Sequence, residues 1–485
     1  MKRTKVAARK IPALLGITAM ALLAACASAP PEGPAPMTLP SAFVETAPTD
    51  GVSEQVRPDW WRAFGDPTLD ALEAQVATSN ADMARALAQL RRARADADLQ
   101  RAGAAPQVSA NVGTSRAHTS ANVVGRALAG RTVDDHVASL GASWEPDLFG
   151  RVAAQAAASN SDAEAEGADV ASLQLALQAD LAKDYLTLRS IDAERVLLAS
   201  SLADLQELLD VTRWRLADGT ASELEVALTQ RDLEALQARS IDLDTQRAAL
   251  RHALATLTGQ PAASLPLAPA AGTATLPELA AGIPSDLLRR RPDVAAAAQR
   301  VAAANARAGI ARLAWFPSLV LSIAGGVEST ASSSLLSLPS RAWSLGPQWA
   351  LPLFDGGQRK AALLGAEADV DAASAAYRGK VIKAINEVED QLATLSTLRR
   401  EDIHQAQAVQ WSLRAQEVAD IRYHTGASAY ADLLLARRAS LSAQRDELLL
   451  KRHQFVATVD LVRALGGGWQ APTPTELTPK ARMPR

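Results

Sequence analysis

Two short stretches decide the fold predicted for this chain: Arg215-Leu-Ala-Asp-Gly219 and Arg422-Tyr-His-Thr-Gly426. Each lies between two long segments of helical periodicity, and each has an arginine four residues before a glycine. Glycine adopts the left-handed conformation that closes a helix, and Ser222 followed by Glu225 is a capping box that begins the next one. Each stretch is therefore predicted to be the tip of a helical hairpin. The two copies, about 207 residues apart, indicate an internal repeat.

The composition of the chain favours long helices. Its 485 residues are 48% hydrophobic and 21% charged but only 4% aromatic, which is typical of helices packed through small side chains. The net charge of -3 provides no basic field for nucleic acid. The six histidines have no metal-binding spacing, and the sequence contains no phosphate-binding loop or nucleophile elbow. We therefore expect no enzyme activity, no cofactor, no metal site and no nucleic-acid partner.

The N-terminus is typical of an exported lipoprotein. A basic stretch is followed by a short apolar segment that ends in Leu23-Ala24-Ala25-Cys26, which resembles a bacterial lipobox. We expect residues 1–25 to be a signal peptide and Cys26 to carry a covalent lipid. The alternative is a plain secretory signal with a chance cysteine. Residues 26–58 are rich in Pro, Ala, Ser and Thr, so they are predicted to form a lipidated flexible leader.

The rest of the chain is predicted to consist of two repeats, residues 59–260 and 285–468, joined by a Pro- and Ala-rich linker at residues 261–284. Each repeat contains, in order, a helix, two strand-like segments, a very long helix, a tip turn and another helix. Apolar residues recur at every seventh position of the helix after each tip, which is typical of a coiled coil. Residues 469–485 are predicted to be a polar C-terminal tail.

The strand-like segments carry the strongest constraint on assembly. In the first repeat, one helix is predicted from about residue 68 to residue 103, and Pro106 ends it before the strands. The segments are about 10 residues long and alternate weakly, as tilted transmembrane β-strands do. Two hairpins supply only four strands, and a sheet in lipid cannot keep open edges. We therefore expect a barrel closed by oligomerisation, for which a symmetric ring is the default.

Several motifs of the two repeats occur together in this chain. They are Trp60-Trp61, Phe64-Gly-Asp66-Pro67, Arg290-Arg291-Pro292-Asp293, Leu353-Phe354-Asp355-Gly356-Gly357 and Gly466-Gly467-Gly468-Trp469. In combination they resemble the outer-membrane factors of the TolC type, in the lipoprotein branch typified by OprM and NodT. The resemblance covers about residues 57–470. It implies a mainly α fold with a β-barrel portion, in which long coiled-coil hairpins form a trimeric α-barrel and four strands per protomer join a shared twelve-stranded transmembrane β-barrel.

The resemblance also implies a function and a set of partners. It predicts a homotrimeric, passive outer-membrane channel of a tripartite efflux system, lipid-anchored in a Gram-negative outer membrane and extending into the periplasm. Its partners would be outer-membrane lipids, a periplasmic adaptor and an inner-membrane pump of the resistance-nodulation-division (RND) type, which delivers drugs or other solutes. Type I secretion and metal efflux remain open alternatives. A periplasmic coiled-coil scaffold lipoprotein is a more remote one.

Finally, the resemblance implies a gate and a set of tip contacts. Leu435 stands where the branch has a gate aspartate, and Asp432, one turn earlier on about the same helix face, is the candidate that could supply the charge instead. Tyr423 and Arg438 match gate positions of the family. The residues expected to contact the adaptor at the tips are Arg215, Gly219, Thr220, Arg422, Gly426 and Ala427.

Overall fold

The computed structural model describes residues 34–35, 37–45, 56–122, 129–270, 274–277 and 284–470. Cys26, the predicted signal peptide and most of the predicted tail lie outside the described residues. The chain divides into two compact units. One contains Leu90–Glu166 and Ala297–Tyr377, and the other contains Met37–Gln89, Gly167–Ala296 and the residues from Arg378 onward. No helix in the described part of the chain is both long enough and apolar enough to span a membrane.

The order of the elements repeats once along the chain. The elements are α1 (Pro67–Ser79), α2 (Ala81–Ala102), β1 (Gln107–His118), β2 (Thr132–Trp144), α3 (Arg151–Ala217), α4 (Glu223–Leu257), α5 (Leu287–Arg290), α6 (Pro292–Leu313), β3 (Ser318–Ser329), β4 (Arg341–Ala350), α7 (Gln358–His424) and α8 (Tyr430–Ala464). Three pairs of equivalent helices have equal lengths, 22 residues in α2 and α6, 67 in α3 and α7, and 35 in α4 and α8, whereas α1 has 13 residues and α5 has 4. The same order of elements therefore occurs twice in the described part of the chain.

The chain breaks between α1 and α2, where the sequence predicts one continuous helix, so that prediction is wrong. Asn80 has an extended backbone, with φ of -70° and ψ of 130°. Its Oδ1 accepts hydrogen bonds from the backbone N–H groups of Asp82 and Met83 at 2.9 and 3.1 Å, and so begins α2 as an N-cap. Its Nδ2 donates to the carbonyl oxygen of Leu257 at 2.9 Å, which ties the break to the end of α4.

Arg291 has the corresponding role in the second repeat. Its guanidinium donates to both oxygens of Asp293, at 2.9 and 2.8 Å, and to the carbonyl oxygen of Ala464 at 3.2 Å. Pro292 follows at the first position of α6, where its missing N–H is not needed. Ala464 is the last residue of α8, as Leu257 is of α4. In both repeats, therefore, a side chain at the break binds a carbonyl group at the end of the last helix.

The main apolar core packs the 3-10 turn at Trp60–Phe64 and helix α1 against α3. Fully buried side chains of this core include Phe64, Leu69, Leu181 and Leu188. Asp66 caps α1 by accepting a hydrogen bond from the backbone N–H of Thr68 at 2.8 Å. Its other oxygen accepts one from the Tyr185 hydroxyl at 2.6 Å. The tryptophan-rich motif of the sequence is thus a capped turn that fills the core.

Buried charges hold part of the linker between the repeats. The Asp192 carboxylate, with 1% of its side chain exposed, accepts hydrogen bonds from Arg189 at 3.2 Å and from Arg247 at 2.7 Å. The two guanidiniums also donate to the carbonyl oxygens of Ala268 and Leu267, each at 2.9 Å. Because buried ions need such partners, these contacts attach the linker to α3 and α4.

Part of the predicted flexible leader also makes defined contacts. Phe43 is buried. The backbone N–H groups of Val44 and Glu45 donate to the two carboxylate oxygens of Glu389, at 2.8 and 3.0 Å. This part of the leader therefore packs on α7.

The four strands form one antiparallel sheet in the order β1-β2-β3-β4. Both predicted hairpins are present, and they pair with each other between β2 and β3. In the middle of the sheet, Leu140 of β2 pairs with Gly325 of β3, and Ile323 of β3 pairs with Leu345 of β4. The outer edges of β1 and β4 have no strand partner among the residues that the structure describes.

Candidate functional site

One face of the sheet is apolar and exposed. Residues paired across neighbouring strands point to the same face, so the strand registers assign each side chain to a face. The charged residues of this face lie near the loop ends of the strands, at Arg116, Asp134 and Arg341. Its large side chains include Val108, Val112, Leu140, Ile323, Trp343, Leu345 and Trp349. All seven are exposed in the single chain, Trp343 to 81%. An apolar surface of this kind is typical of a contact with lipid or with another protein.

The opposite face of the sheet is small and polar. Its residues include Ser109, Asn111, Gly113, Ser139, Gly141, Ser143, Ser322, Gly326, Ser344 and Gly346. The charged residues of this face within the four strands are both acidic, Asp135 and Glu328. Alternation between an apolar and a polar face at every residue is the pattern of strands that separate lipid from an aqueous interior.

The first tip closes α3 with a Schellman motif. Gly219 has φ of 73°, the left-handed conformation that this motif requires. Its N–H donates to the carbonyl oxygen of Leu216 at 3.0 Å, and the N–H of Thr220 donates to that of Arg215 at 2.8 Å. The Arg215 guanidinium also donates to the carbonyl oxygen of Thr220 at 3.2 Å. The arginine therefore binds the turn through both its backbone and its side chain.

The second tip repeats this geometry. Gly426 has φ of 74°, and the N–H of Ala427 donates to the carbonyl oxygen of Arg422 at 2.7 Å. The Arg422 guanidinium donates to the carbonyl oxygen of Ala427 at 3.2 Å. The spacing of arginine four residues before glycine thus has a physical reason. In each repeat the arginine accepts a hydrogen bond from the turn at its backbone carbonyl group and donates one to the turn from its guanidinium.

The two tips are joined by tyrosines. The Arg215 guanidinium donates a hydrogen bond to the Tyr423 hydroxyl and lies 5.1 Å from the centre of its ring. Burial raises the pKa of the Tyr423 hydroxyl despite the nearby guanidinium, so the hydroxyl stays neutral at physiological pH. The Tyr423 ring meets that of Tyr430 edge to face, with centroids 5.4 Å apart. The Tyr430 hydroxyl is hydrogen-bonded to the hydroxyl of Thr229 on α4.

A second link joins α4 to α8. Two nitrogens of the Arg438 guanidinium donate to the two oxygens of Asp232, each at 2.5 Å. Such bidentate pairs combine charge with fixed geometry. The neighbouring Arg231 also contacts Asp232, at 2.8 Å, and the Asp232 side chain is only 12% exposed. The two helical hairpins of one chain are therefore connected at the tips and again along their helices.

The four predicted gate residues occupy different environments within one chain. Tyr423 and Arg438 contact the other hairpin, as described above. Asp432 lies in the first turn of α8, where its carboxylate accepts a hydrogen bond from the backbone N–H of Ala429 at 3.3 Å. Leu435 is 68% exposed. Elsewhere, no three His, Cys, Asp or Glu side chains of the described chain are grouped so that they could hold a metal ion.

Sequence reasoning did not identify Thr229, Asp232 or Tyr430. Each is a common residue on a predicted helix, and each gains its importance from a partner in the other repeat. No local motif marks these positions.

The family model for outer membrane efflux proteins matches residues 72–260 and 283–467, which include most of both repeats. This chain belongs to the outer membrane efflux protein family. The family resemblance read from the motifs is therefore confirmed, and so are the mainly helical fold with few strands and the location in the outer membrane. The family is one of transport channels.

Individual relatives agree with this family. The chain is 33% identical over 462 residues to the pyoverdine export outer membrane protein OpmQ of Pseudomonas putida. This match covers 91% of this chain and 98% of that protein. It matches the solved outer-membrane channel OprN with a TM-score of 0.82 and 31% identity, over 91% of this chain and 100% of that one. The solved open state of the MtrE outer membrane channel of Neisseria gonorrhoeae matches with a TM-score of 0.79 and 27% identity. This match covers 91% of this chain and 98% of that one. The predicted function as an outer-membrane efflux channel is confirmed by these relationships.

Proposed function

We propose that three copies of this chain form a passive exit duct in the outer membrane, as one part of a tripartite efflux system. The sheet is the observation that supports this most directly. It has an exposed apolar face, a small polar face and two outer edges that lack partners in the described chain. In lipid, every backbone N–H and C=O group needs a partner. Pairing β1 of one chain with β4 of the next would satisfy both edges, and three chains would supply twelve strands.

The trimer can be tested by electrophoresis of the full-length protein after mild detergent extraction. We expect a species of three chains in unheated samples that converts to a single chain on heating. Native mass spectrometry of the unheated sample should give the mass of three lipidated chains. A single-chain mass under these conditions would contradict the proposal.

The tips are proposed to form the periplasmic end of the duct. A trimer has six tips, and six helical hairpins of a periplasmic adaptor could contact them. The adaptor-contact residues would be Arg215, Gly219, Thr220, Arg422, Gly426 and Ala427. An inner-membrane pump of the RND type would deliver drugs or other solutes to the duct. The relatives named for efflux and export support this arrangement, in which the pump selects the substrate.

The links between the hairpins are proposed to keep the periplasmic end closed. Arg215–Tyr423 and Asp232–Arg438 would hold the two hairpins of one chain together, and Asp432 and Leu435 would line the constriction of the trimer. A hydrogen bond to a charged group contributes about 1.5–3 kcal/mol. A few such bonds are strong enough to favour the closed state and weak enough to yield when the adaptor binds the open state better.

The gate is tested by single-channel conductance of the purified protein in planar bilayers. Arg438→Ala should raise the conductance, because it removes both hydrogen bonds to Asp232. Arg414→Ala is the matched control, since Arg414 pairs with Glu417 on its own helix at 2.6 Å. Unchanged conductance in Arg438→Ala would contradict the role of this link.

The same measurement separates the two constriction residues. Asp432→Ala should also raise the conductance. If it has no effect whereas substitution of Leu435 changes the conductance, the constriction is apolar and Asp432 only begins its helix.

A further inference from the structure

A cavity of about 410 Å³ lies between the two helical hairpins of one chain. Helices α3, α4, α7 and α8 all contribute to its wall. The apolar part of the wall is formed by Leu197, Leu205, Leu236, Leu413, Leu434 and Leu441. Both the volume, within the range of about 300–1,000 Å³, and the mainly apolar lining are those of sites for small organic molecules.

The charged groups of the wall differ in their pairing. Arg438 is paired with Asp232, and Arg437 donates to Asp420 at 2.9 Å. Asp204 also lines the cavity and is exposed to solvent, and it makes no hydrogen bond or ion pair with any residue that the structure describes. The unpaired charge of the wall, within the described chain, is therefore negative.

The uncharged polar groups of the wall include acceptors. The Ser201 hydroxyl donates a hydrogen bond to the carbonyl oxygen of Leu197 at 3.0 Å. The lone pairs of the Ser201 oxygen therefore remain available to accept a hydrogen bond. The Gln444 amide nitrogen donates to the Ser440 hydroxyl at 3.1 Å, so its amide oxygen remains an acceptor. A wall that contains an unpaired carboxylate, spare acceptors and several leucines complements a molecule that has a positive group and an apolar body.

We propose that this cavity is a binding site for an amphipathic organic cation of drug size. The positive group contacts Asp204, and the apolar body packs against the leucines. An anion of the same shape would face the unpaired carboxylate and binds poorly. Because the wall comes from both hairpins, a bound cation connects them and stabilises the arrangement in which the cavity exists.

Binding is measured directly, with ethidium as the fluorescent probe and the full-length protein in detergent. Empty detergent micelles are the blank. We expect saturable binding that tetraphenylphosphonium displaces. Tetraphenylborate is the matched competitor, since it has almost the same shape and the opposite charge, and it should displace ethidium poorly. Equal displacement by both competitors would overturn the proposal.

Matched variants locate the site. Asp204→Asn keeps the size of the side chain and removes its charge, so ethidium should bind about tenfold more weakly or worse. Asp210→Asn is the control on the same helix, because Asp210 contacts Gln206 and Arg213 and does not line the cavity. Ser201→Phe should fill the cavity and abolish binding.

The outcomes decide the proposal in either direction. Weaker binding in Asp204→Asn with unchanged binding in Asp210→Asn supports it. Wild-type affinity in Asp204→Asn overturns it, and this exposed substitution decides the matter even if Ser201→Phe fails to assemble. No conductance enters the measurement, so a negative result leaves the channel proposal standing.

Discussion

At the residue scale, glycines with positive φ fall into two kinds in this chain. At Gly219 and Gly426, nothing lies within 4 Å of the position that a Cβ would take. A side chain there would meet only the conformational penalty of the left-handed region, about 1–2 kcal/mol. At Gly466, φ is 93° and a Cβ would lie 2.0 Å from the carbonyl oxygen of Arg290. A side chain at Gly466 would therefore also displace backbone at the junction where α8 ends.

We predict that Gly466→Ala prevents assembly of a heat-stable trimer, whereas Gly426→Ala lowers its stability by about 1–2 kcal/mol. The measurement is the fraction of trimer in unheated gels over a temperature series. The bulkier Gly426→Val should assemble but lose binding to the adaptor in a pull-down. Assembly of Gly466→Ala with wild-type thermal stability would show that the junction can move aside.

Glu73 is a residue whose burial conflicts with its charge. It is 1% exposed, and neither carboxylate oxygen has a hydrogen-bond partner among the described residues. Burial, helped by the charge of Asp70, raises the pKa of Glu73 from 4.5 to about 9. The folded protein keeps the proton at neutral pH, whereas the unfolded chain releases it above about pH 4.5. The stability contributed by this group is therefore complete below pH 4.5 and falls as the pH rises toward 9.

Glu73→Gln should accordingly raise the temperature at which the trimer dissociates at pH 8 and have little effect at pH 4. Glutamine has almost the same shape but cannot ionise, so it avoids the cost of keeping the buried group protonated. The dissociation temperature measured from pH 4 to pH 9 tests this. Glu234→Gln, at an exposed position of α4, is the control. An equal shift at every pH would mean that ionisation of Glu73 is not involved.

At the element scale, β3 offers adjacent residues on opposite faces of the sheet. Ile323 belongs to the apolar face and Ser322 to the polar face, where Ser322 pairs with Ser143 and Gly346. If the apolar face contacts lipid, an arginine at position 323 costs about 2–4 kcal/mol near the middle of the bilayer. The same substitution at position 322 would enter the aqueous interior.

Ile323→Arg should therefore reduce the amount of trimer in the outer membrane strongly. Ser322→Arg should assemble at nearly the wild-type level and lower the conductance to cations, because it adds positive charge to the interior. Membrane fractionation and bilayer recordings of both variants test the assignment of the faces. Normal assembly of Ile323→Arg together with failure of Ser322→Arg would reverse it.

At the scale of the whole molecule, we propose two sources of attachment to the outer membrane, the lipid on Cys26 and the barrel. A lipid anchor by itself provides only part of stable membrane binding. Cys26→Ser, with the signal peptide kept, should lose incorporation of labelled palmitate yet remain in the outer-membrane fraction after an alkaline wash. Loss of insertion in exported, lipid-free protein would show that the anchor is needed for barrel assembly.

The sequence by itself determined the features that have a local or periodic cause. Gly219 and Gly426 mark the tips because few other residues adopt positive φ, and Ser222 begins α4 because its hydroxyl accepts the N–H of Glu225 at 3.3 Å. The number of strands, the long helices and the repeat follow from hydrophobic period and from breaks at proline and glycine. Each of these sequence features lies within a few residues of the turn, cap, helix or strand that it specifies. A single sequence is therefore enough to predict them.

Only the tertiary structure decided which residues meet across the repeats. Arg215 and Tyr423 are 208 positions apart, and Asp232 and Arg438 are 206 apart. The residues around an exposed arginine in the sequence do not show whether it pairs with a neighbour on its own helix or with a distant aspartate. The helix break at Asn80 was missed for a related reason, since an asparagine fits within a helical pattern. Its choice between helix interior and cap depends on a carbonyl group of Leu257, which only folding brings within reach.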